Sequence, residues 1–554
     1  MAERTINKEI DEMKNLSVKA LCAVIAAVFL LSACGQEIFD GGNSGYDQAE
    51  SGRISYADGG AELYDIAVNM AYMPAEPMGE TVEFETDFPE FDTEEYSYRK
   101  ENSFVSVLSS PFSTFAADVD TASYSNLRRQ ILKNDYVDPD SVRVEELINY
   151  FRYNYPQPKE GEPFGVYTEI SPCPWNEKTK LLRIGLQAQD LDTSSMPRSN
   201  LVFLIDVSGS MDYANKLPLV QRSFMTLVDN LGENDVVSIV TYSSGEKIVI
   251  DGVPASEKQE IMAAIEGLYA YGSTQGDKAI VMAYELAKKH FIAGGNNRVI
   301  MATDGDFNVG ITGEGELTRL IKDQASSGVF LSVLGYGMGN YKDNKLESMA
   351  DNGNGNYAYI DSIDEARKVL VSEAGGTLFT VAKDVKIQVE FNPAMIRGYR
   401  LIGYENRVMT AEDFADDKKD GGEIGAGHQV TALYEIVPVG SDFDLNEPDS
   451  KYGQQIGQTG ELGGEYCTVN IRYKEPSEDE SKLLSYPVNE SSEVSEPTAD
   501  MKWAAGVAEV AMLIKDSEYK GTADFGEVKE YLKSVSDDDF RDEFIYLVSK
   551  LKNR

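Results

Sequence analysis

Basic residues are scarce in this chain of 554 residues: 51 Lys and Arg stand against 93 Asp and Glu, a formal net charge of −42 at pH 7. Such an excess argues against nucleic-acid binding, because no basic stripe offsets phosphate repulsion. It fits an extracytoplasmic surface, with most of the charge serving solubility. Histidine is rarer still, with only His290 and His428. One falls at a helix end and the other at a strand start. Each reads as structural or solvated, and no general base stands out. The apolar stretch Ala20–Leu31 is too short for a comfortable transmembrane helix. What is present is enough apolar sequence, 42% of the residues, to fill folded cores, and enough length for several domains.

Ala20–Leu31 has the length of a signal-peptide apolar region, follows Lys14 and Lys19, and ends Leu31-Ser32-Ala33-Cys34. Glu3, Glu9, Asp11 and Glu12 do not suit a positively charged leader, so Met13 makes a better start than Met1. Small residues before a cysteine look like a bacterial lipobox. That likeness implies cleavage before Cys34 and lipidation of Cys34, and hence an extracytoplasmic protein anchored to a membrane. An ordinary signal peptide with an incidental cysteine is the alternative. Of the four cysteines, Cys22 leaves with residues 1–34, and Cys173 and Cys467 remain. Outside the cytoplasm these form either a disulfide or two buried thiols, and spacing does not decide between them. Residues 35–102 are Gly-rich, acidic and poor in branched apolar residues, the composition of a disordered tether.

The body of the chain is organised around Leu201-Val-Phe-Leu-Ile-Asp-Val-Ser-Gly-Ser-Met211. Its apolar run is that of a strand buried on both faces, as in parallel sheets. Asp206, Ser208 and Ser210 stand at the carboxyl end of that strand, where open α/β sheets bind ligands. Three oxygen side chains on one tight turn suit a hard divalent cation. A solvated turn capping the next helix would use the same residue types. Two further segments favour the metal: the apolar strand at 298–303 ends in Asp304-Gly305, and Gly272-Ser273-Thr274 precedes a helical stretch at 277–290.

Asp206, Ser208, Ser210, Thr274 and Asp304 together resemble the metal-ion-dependent adhesion site of von Willebrand factor type A domains. The segments Asp118–Arg129, Val142–Phe151, Ala302–Gly310, Gly353–Ser362, Lys383–Pro393 and Asp516–Gly521 extend the likeness to bacterial von Willebrand A lipoproteins of the YfbK-like family. The resemblance covers most of the chain from about Phe104. It implies Mg²⁺, with Mn²⁺ or Ca²⁺ as alternatives. Ser208, Ser210 and Thr274 would ligate it directly, and Asp206 and Asp304 directly or through water. A protein partner would supply an Asp or Glu to the open position. A structural envelope protein whose metal braces loops is a second reading. A haloacid-dehalogenase-type phosphatase is a third, but it needs a carboxylate where Ser208 stands.

Residues 199–377 alternate strand and helix, which predicts an α/β doubly wound, Rossmann-like von Willebrand A domain. Strands are expected on either side, at 164–170 and 181–189 within 103–198, and at 385–391, 429–437 and 466–473 within 378–500. Each set is too small for a stable sheet alone. The expected architecture is therefore an A domain inserted in a flanking α+β region with a β-sandwich. Helices are expected at 121–133, 141–153 and 363–374, loops at 475–500, and a helical region at 501–554. Asp118 and Asp120 read as caps or turns.

Overall fold

In this computed structural model the apolar run from Leu201 to Asp206 lies in one of the two central strands of a six-stranded sheet, and the rest of the α/β domain is layered on it. The structure describes residues 94 and 96–551, apart from 118–119, 191–196, 275, 306–313, 339–341, 420, 446–463, 477 and 479. The signal segment, Cys34 and most of the expected tether lie outside the described residues.

In chain order, the first part contains β1 (Val105–Ser106), β2 (Phe112–Ala116), α1 (Ala122–Leu132), α2 (Val144–Asn149), β3 (Phe164–Pro172) and β4 (Lys180–Ala188). The α/β domain opens with β5 (Ser199–Asp206), α3 (Leu217–Asp229), β6 (Val236–Tyr242), β7 (Glu246–Pro254), α4 (Lys258–Glu266) and α5 (Asp277–Lys289). It continues with β8 (Asn296–Thr303), α6 (Glu314–Ala325), β9 (Phe330–Tyr336), α7 (Asp343–Asn352), β10 (Tyr357–Ile360), α8 (Ile363–Arg367) and α9 (Ala374–Leu378). Then come β11 (Thr380–Phe391), β12 (Ile396–Ile402), β13 (Val408–Met409), α10 (Ala411–Ala415), β14 (Gly422–Gly425), β15 (Gln429–Pro438), β16 (Glu465–Lys474) and β17 (Lys482–Asn489). The chain closes with α11 (Ala499–Ile514), α12 (Phe525–Lys533) and α13 (Asp539–Leu551).

The α/β sheet runs β10-β9-β8-β5-β6-β7, parallel except where β7 turns back on β6. Side chains alternate across β5. Val202 and Leu204 pack among Ala279, Ile280 and Ala283 of α5, while Leu201, Phe203 and Ile205 pack among Leu217, Val220 and Phe224 of α3. Apolar partners on both faces explain the unbroken run. The chain moves from β5 to β6 on one side and later returns to β8 on the other. The carboxyl end of β5 is thus a topological switch point.

The strands before and after this domain pair with each other. β4 lies antiparallel to β15, with Leu186 opposite Val430 and Ile184 opposite Ala432. β2 lies antiparallel to β11, with Phe115 opposite Ile387. Two antiparallel sheets result, β1-β12-β15-β4-β3 and β13-β2-β11-β16-β17, with β14 alongside β11. They share one apolar core that includes Phe115, Ile184, Leu186, Ile387, Phe391, Tyr434 and Val469. The α/β domain is therefore an insertion in a β-sandwich frame, as expected. The outer face of the first sheet is covered by α1, α2 and the C-terminal helices, where Tyr124, Leu147, Phe151, Trp503, Val507, Phe544 and Leu547 form a second core with Leu181 and Leu433.

Buried charge joins insert to frame. Arg143, just before α2, pairs with Glu146 and with Asp343 and Glu347 of α7, the last at 3.2 Å. Arg128 of α1 reaches Glu365 of α8 at 2.7 Å, and Arg407 reaches the buried Glu347 of α7 at 3.5 Å. Asp120, expected as a cap or turn residue, instead accepts the Tyr357 N–H at 3.0 Å and pairs with Arg407 at 3.5 Å.

Several details differ from the sequence expectation. α2 stops at Asn149 because the Tyr153 and Asn154 N–H groups bond outward to Gln429 and Asp500 instead of continuing the helix. The helix expected at 363–374 is broken into α8, a π-helical turn at Lys368–Ser372 and α9. β12 is a strand the pattern does not place, and β17 lies where loops are expected. β17 tolerates Pro487 because it is the edge strand of its sheet. The last residues of the expected tether are held to the body: Glu94 pairs with Arg129 at 2.8 Å, and the Asn102 amide donates to Gly403 at 2.8 Å. Cys173 and Cys467 are free buried thiols in two different cores, so the disulfide alternative falls. Burial pushes both thiols well above the usual range. His290 closes α5 and stands 2.6 Å from Asp251, while burial holds His428 near 4, as a neutral ring. Among the described residues no helix is long and apolar enough to cross a membrane.

Replacing Arg143 with Met leaves Glu146, Asp343 and Glu347 short of a buried cation, and chemical denaturation should register a loss of about 3 kcal/mol. Glu509 of α11 is 5% exposed, and burial, then Glu527, raises its carboxyl to about 8 from an ordinary 4.5. Between those values the native state holds a proton that the unfolded chain has lost, so stability falls as pH rises through that window. The variant Glu509→Gln should match the parent at pH 4.5 and melt at a higher temperature at pH 8.

Candidate metal site

Asp206 is the last residue of β5, and Asp304 follows β8, the strand beside it. Parallel pairing brings the two carboxylates to the same edge of the sheet, and neither is exposed to solvent. Asp206 Oδ1 accepts the Ser208 N–H at 2.9 Å, and its Oδ2 accepts the Thr303 hydroxyl at 3.3 Å. The Ser208 and Ser210 hydroxyl oxygens are 3.1 Å apart on the turn that follows. Ser208 is buried, whereas Ser210 and Thr274 are half-buried, so hydroxyls rim a floor of carboxylates.

The loop carrying Thr274 is fastened to this turn by its backbone. Gly209 N–H donates to Gly272 O at 3.0 Å, and Tyr271 N–H donates to Val207 O at 2.8 Å. Both glycines are needed for that approach. A Cβ on Gly209 would stand 3.1 Å from Gly272 O, and Gly272 has φ +74° with its Cβ direction blocked by the Ser244 hydroxyl. The structure thus brings Asp206, Ser208, Ser210 and Asp304 together and ties the Thr274 loop to them two residues away.

Burial, then the nearby Asp304 charge, pushes the Asp206 carboxyl up to about 7. Two carboxylates sunk together out of water call for positive charge. Part of it is supplied by a residue the sequence reading passed over. Lys216 is 4% exposed, and its ammonium stands 2.8 Å from Asp304 Oδ2. One signal was available: Lys216 lies directly before α3, and a helix N-terminus is unfavourable for a cation. Thr303 and Tyr242, which also bear on Asp206, belong to strands and left no such signal. Among the described residues no three His, Cys, Asp or Glu side chains cluster as a metal cage. The donor set is instead two carboxylates plus hydroxyls, all hard oxygens, and that chemistry fits Mg²⁺, Mn²⁺ or Ca²⁺.

Comparison with known proteins places the chain in a family. A model described as von Willebrand factor type A domain matches residues 200–371, and one described as von Willebrand factor matches 90–183. A third, Uncharacterized protein YfbK, C-terminal, matches 376–553. The uncharacterized protein YfbK of Escherichia coli K12 is 41% identical over 471 residues, which is 82% of this chain and 80% of that protein. The chain belongs to the YfbK-like family of von Willebrand A domain proteins. The uncharacterized protein sll0103 of Synechocystis is 25% identical over 334 residues, 58% of this chain and 73% of its own. Among solved structures, a von Willebrand factor type A protein from Catenulispora acidiphila covers 72% of this chain and 91% of its own at 15% identity, with a TM-score of 0.41. The A domain thus sits within a chain whose sequence before and after it also matches known families.

Proposed function

We propose that this protein is an extracytoplasmic lipoprotein, anchored through Cys34, that binds a protein partner through a divalent cation held at the carboxyl edge of its A domain. Asp206 and Asp304 supply the charge that retains the cation, Mg²⁺ by preference, and Ser208, Ser210 and Thr274 supply neutral oxygens. When bound, the cation offers an electrophilic point that an Asp or Glu of the partner completes. The observation that carries this reading is the convergence of two fully buried carboxylates with a half-buried hydroxyl rim at the switch point of the sheet. Von Willebrand A domains commonly mediate protein–protein adhesion, which supports recognition over catalysis. Ser208 occupies the position at which a phosphatase of similar topology would need its acid/base carboxylate.

Calorimetric titration of Mg²⁺ and Mn²⁺ tests the site in the chain from residue 35 onward. The parent should bind, and Asp206→Ala and Ser208→Ala should each lose about tenfold or more in affinity. Parent protein that binds neither ion, even with an acidic peptide present, would refute the reading. The anchor has its own test: Cys34→Ser should move the protein from the membrane fraction to the soluble extracytoplasmic fraction, and unchanged membrane association would remove Cys34 from the proposal.

A further inference from the structure

Lys216 is held beside the candidate site by more than its ion pair. It sits where the α3 peptide dipoles disfavour a cation, yet it is buried. Its stem passes over Gly337, φ +81°, at a place where any Cβ would collide with the methylenes of Lys216. The Tyr213 ring lies 5.5 Å from the ammonium. The backbone has been shaped to accept this side chain, and the result is a fixed positive charge 2.8 Å from Asp304.

The consequence follows from counting charges. With a cation bound, Asp206 and Asp304 would carry two negative charges, and Lys216, paired with Asp304, reduces this to one. A divalent cation on two carboxylates alone would give a neutral site. With Lys216 in place, the same cation gives a site with one positive charge. We propose that Lys216 determines partner affinity by making the loaded site cationic, and so attractive to a carboxylate, where a divalent cation on the two carboxylates alone would leave it neutral. The counterpart is weaker retention of the metal, because Lys216 opposes the incoming cation. This rests on the metal-binding reading above and adds a residue that the sequence motif does not contain.

The test uses Mn²⁺ and acetate on the full chain, with Lys216→Met as the neutral variant of similar length and Lys216→Arg as the charge-preserving one. Mn²⁺ affinity is read by electron paramagnetic resonance. Acetate binding to the loaded protein is read as the fall in water-proton relaxivity when a carboxylate displaces water. Lys216→Met should bind Mn²⁺ about tenfold more tightly than the parent and, once loaded, bind acetate about threefold more weakly. Lys216→Arg should stay within about twofold of the parent on both readouts. The two effects have opposite signs, so a general loosening of the fold would not mimic them. If Lys216→Met does not fold, Lys216→Gln takes its place in the same titrations. Equal Mn²⁺ affinity in parent and neutral variant, or unchanged acetate binding, would overturn the role of Lys216 while leaving the metal site intact. Absence of Mn²⁺ binding in every form would overturn the metal site itself, and this inference with it.

Discussion

Strand pairing across the insertion is the constraint on which the rest depends. Before the α/β domain the frame has β1 to β4, and after it β11 to β17, and neither set closes a sandwich alone. β4 needs β15, and β2 needs β11. About 240 to 280 residues separate the partners, and loop closure over such a length costs little more than over half of it. What makes the closure favourable is a shared apolar core to which both halves contribute. Once the sandwich forms, the ends of the α/β domain are brought near one another, and that domain has only to fold on its own parallel sheet.

The few basic residues are placed with economy. Arg128, Arg143, Arg183, Arg298, Arg400 and Arg541 are all no more than 6% exposed. Arg183 meets Glu169 at 2.9 Å beneath three tyrosine rings, and Arg400 meets Glu435 at 3.0 Å. Guanidinium groups suit this work because their fork satisfies several acceptors while staying charged. A buried ion pair adds little net stability over an apolar contact, but it penalises any arrangement that separates its partners. At Arg143 and Arg407 the separated arrangement would be an insert turned away from its frame.

Much of this was legible in the sequence, for reasons that differ by element. β5 could be read because burial on both faces leaves an unbroken apolar run, and Asp206, Ser208 and Ser210 because the turn after it is contiguous. Thr274 and Asp304 could be read as candidates because each stands at a loop or strand end, and the family resemblance then joined them to Asp206, since only the fold brings these segments to the same edge. Lys216 was missed because a lysine near a helix start looks like a solvated one until Gly337 is seen to make room for its stem. β17 was missed because an edge strand can carry Pro487 and exposed side chains such as Leu483, which mimic a loop. The early end of α2 was missed because its cause lies in Gln429 and Asp500, far along the chain.

The two ends of the insert meet at one crevice, lined by Arg198 and Ser199 at the start of β5, by Asn234 and Asp235 before β6, and by Gly375, Gly376 and Phe379 at the close of α9. This is the amino edge of the parallel sheet, opposite the edge that carries Asp206 and Asp304. A tension applied at the site would therefore cross the sheet and reach the frame through two covalent connections as well as through the ion pairs of Arg128, Arg143 and Arg407. One connection leads back to β4 and the other on to β11, and these strands lie in different sheets of the frame. A load at the site is thus divided between both layers of the sandwich, and peeling either sheet alone does not release the insert.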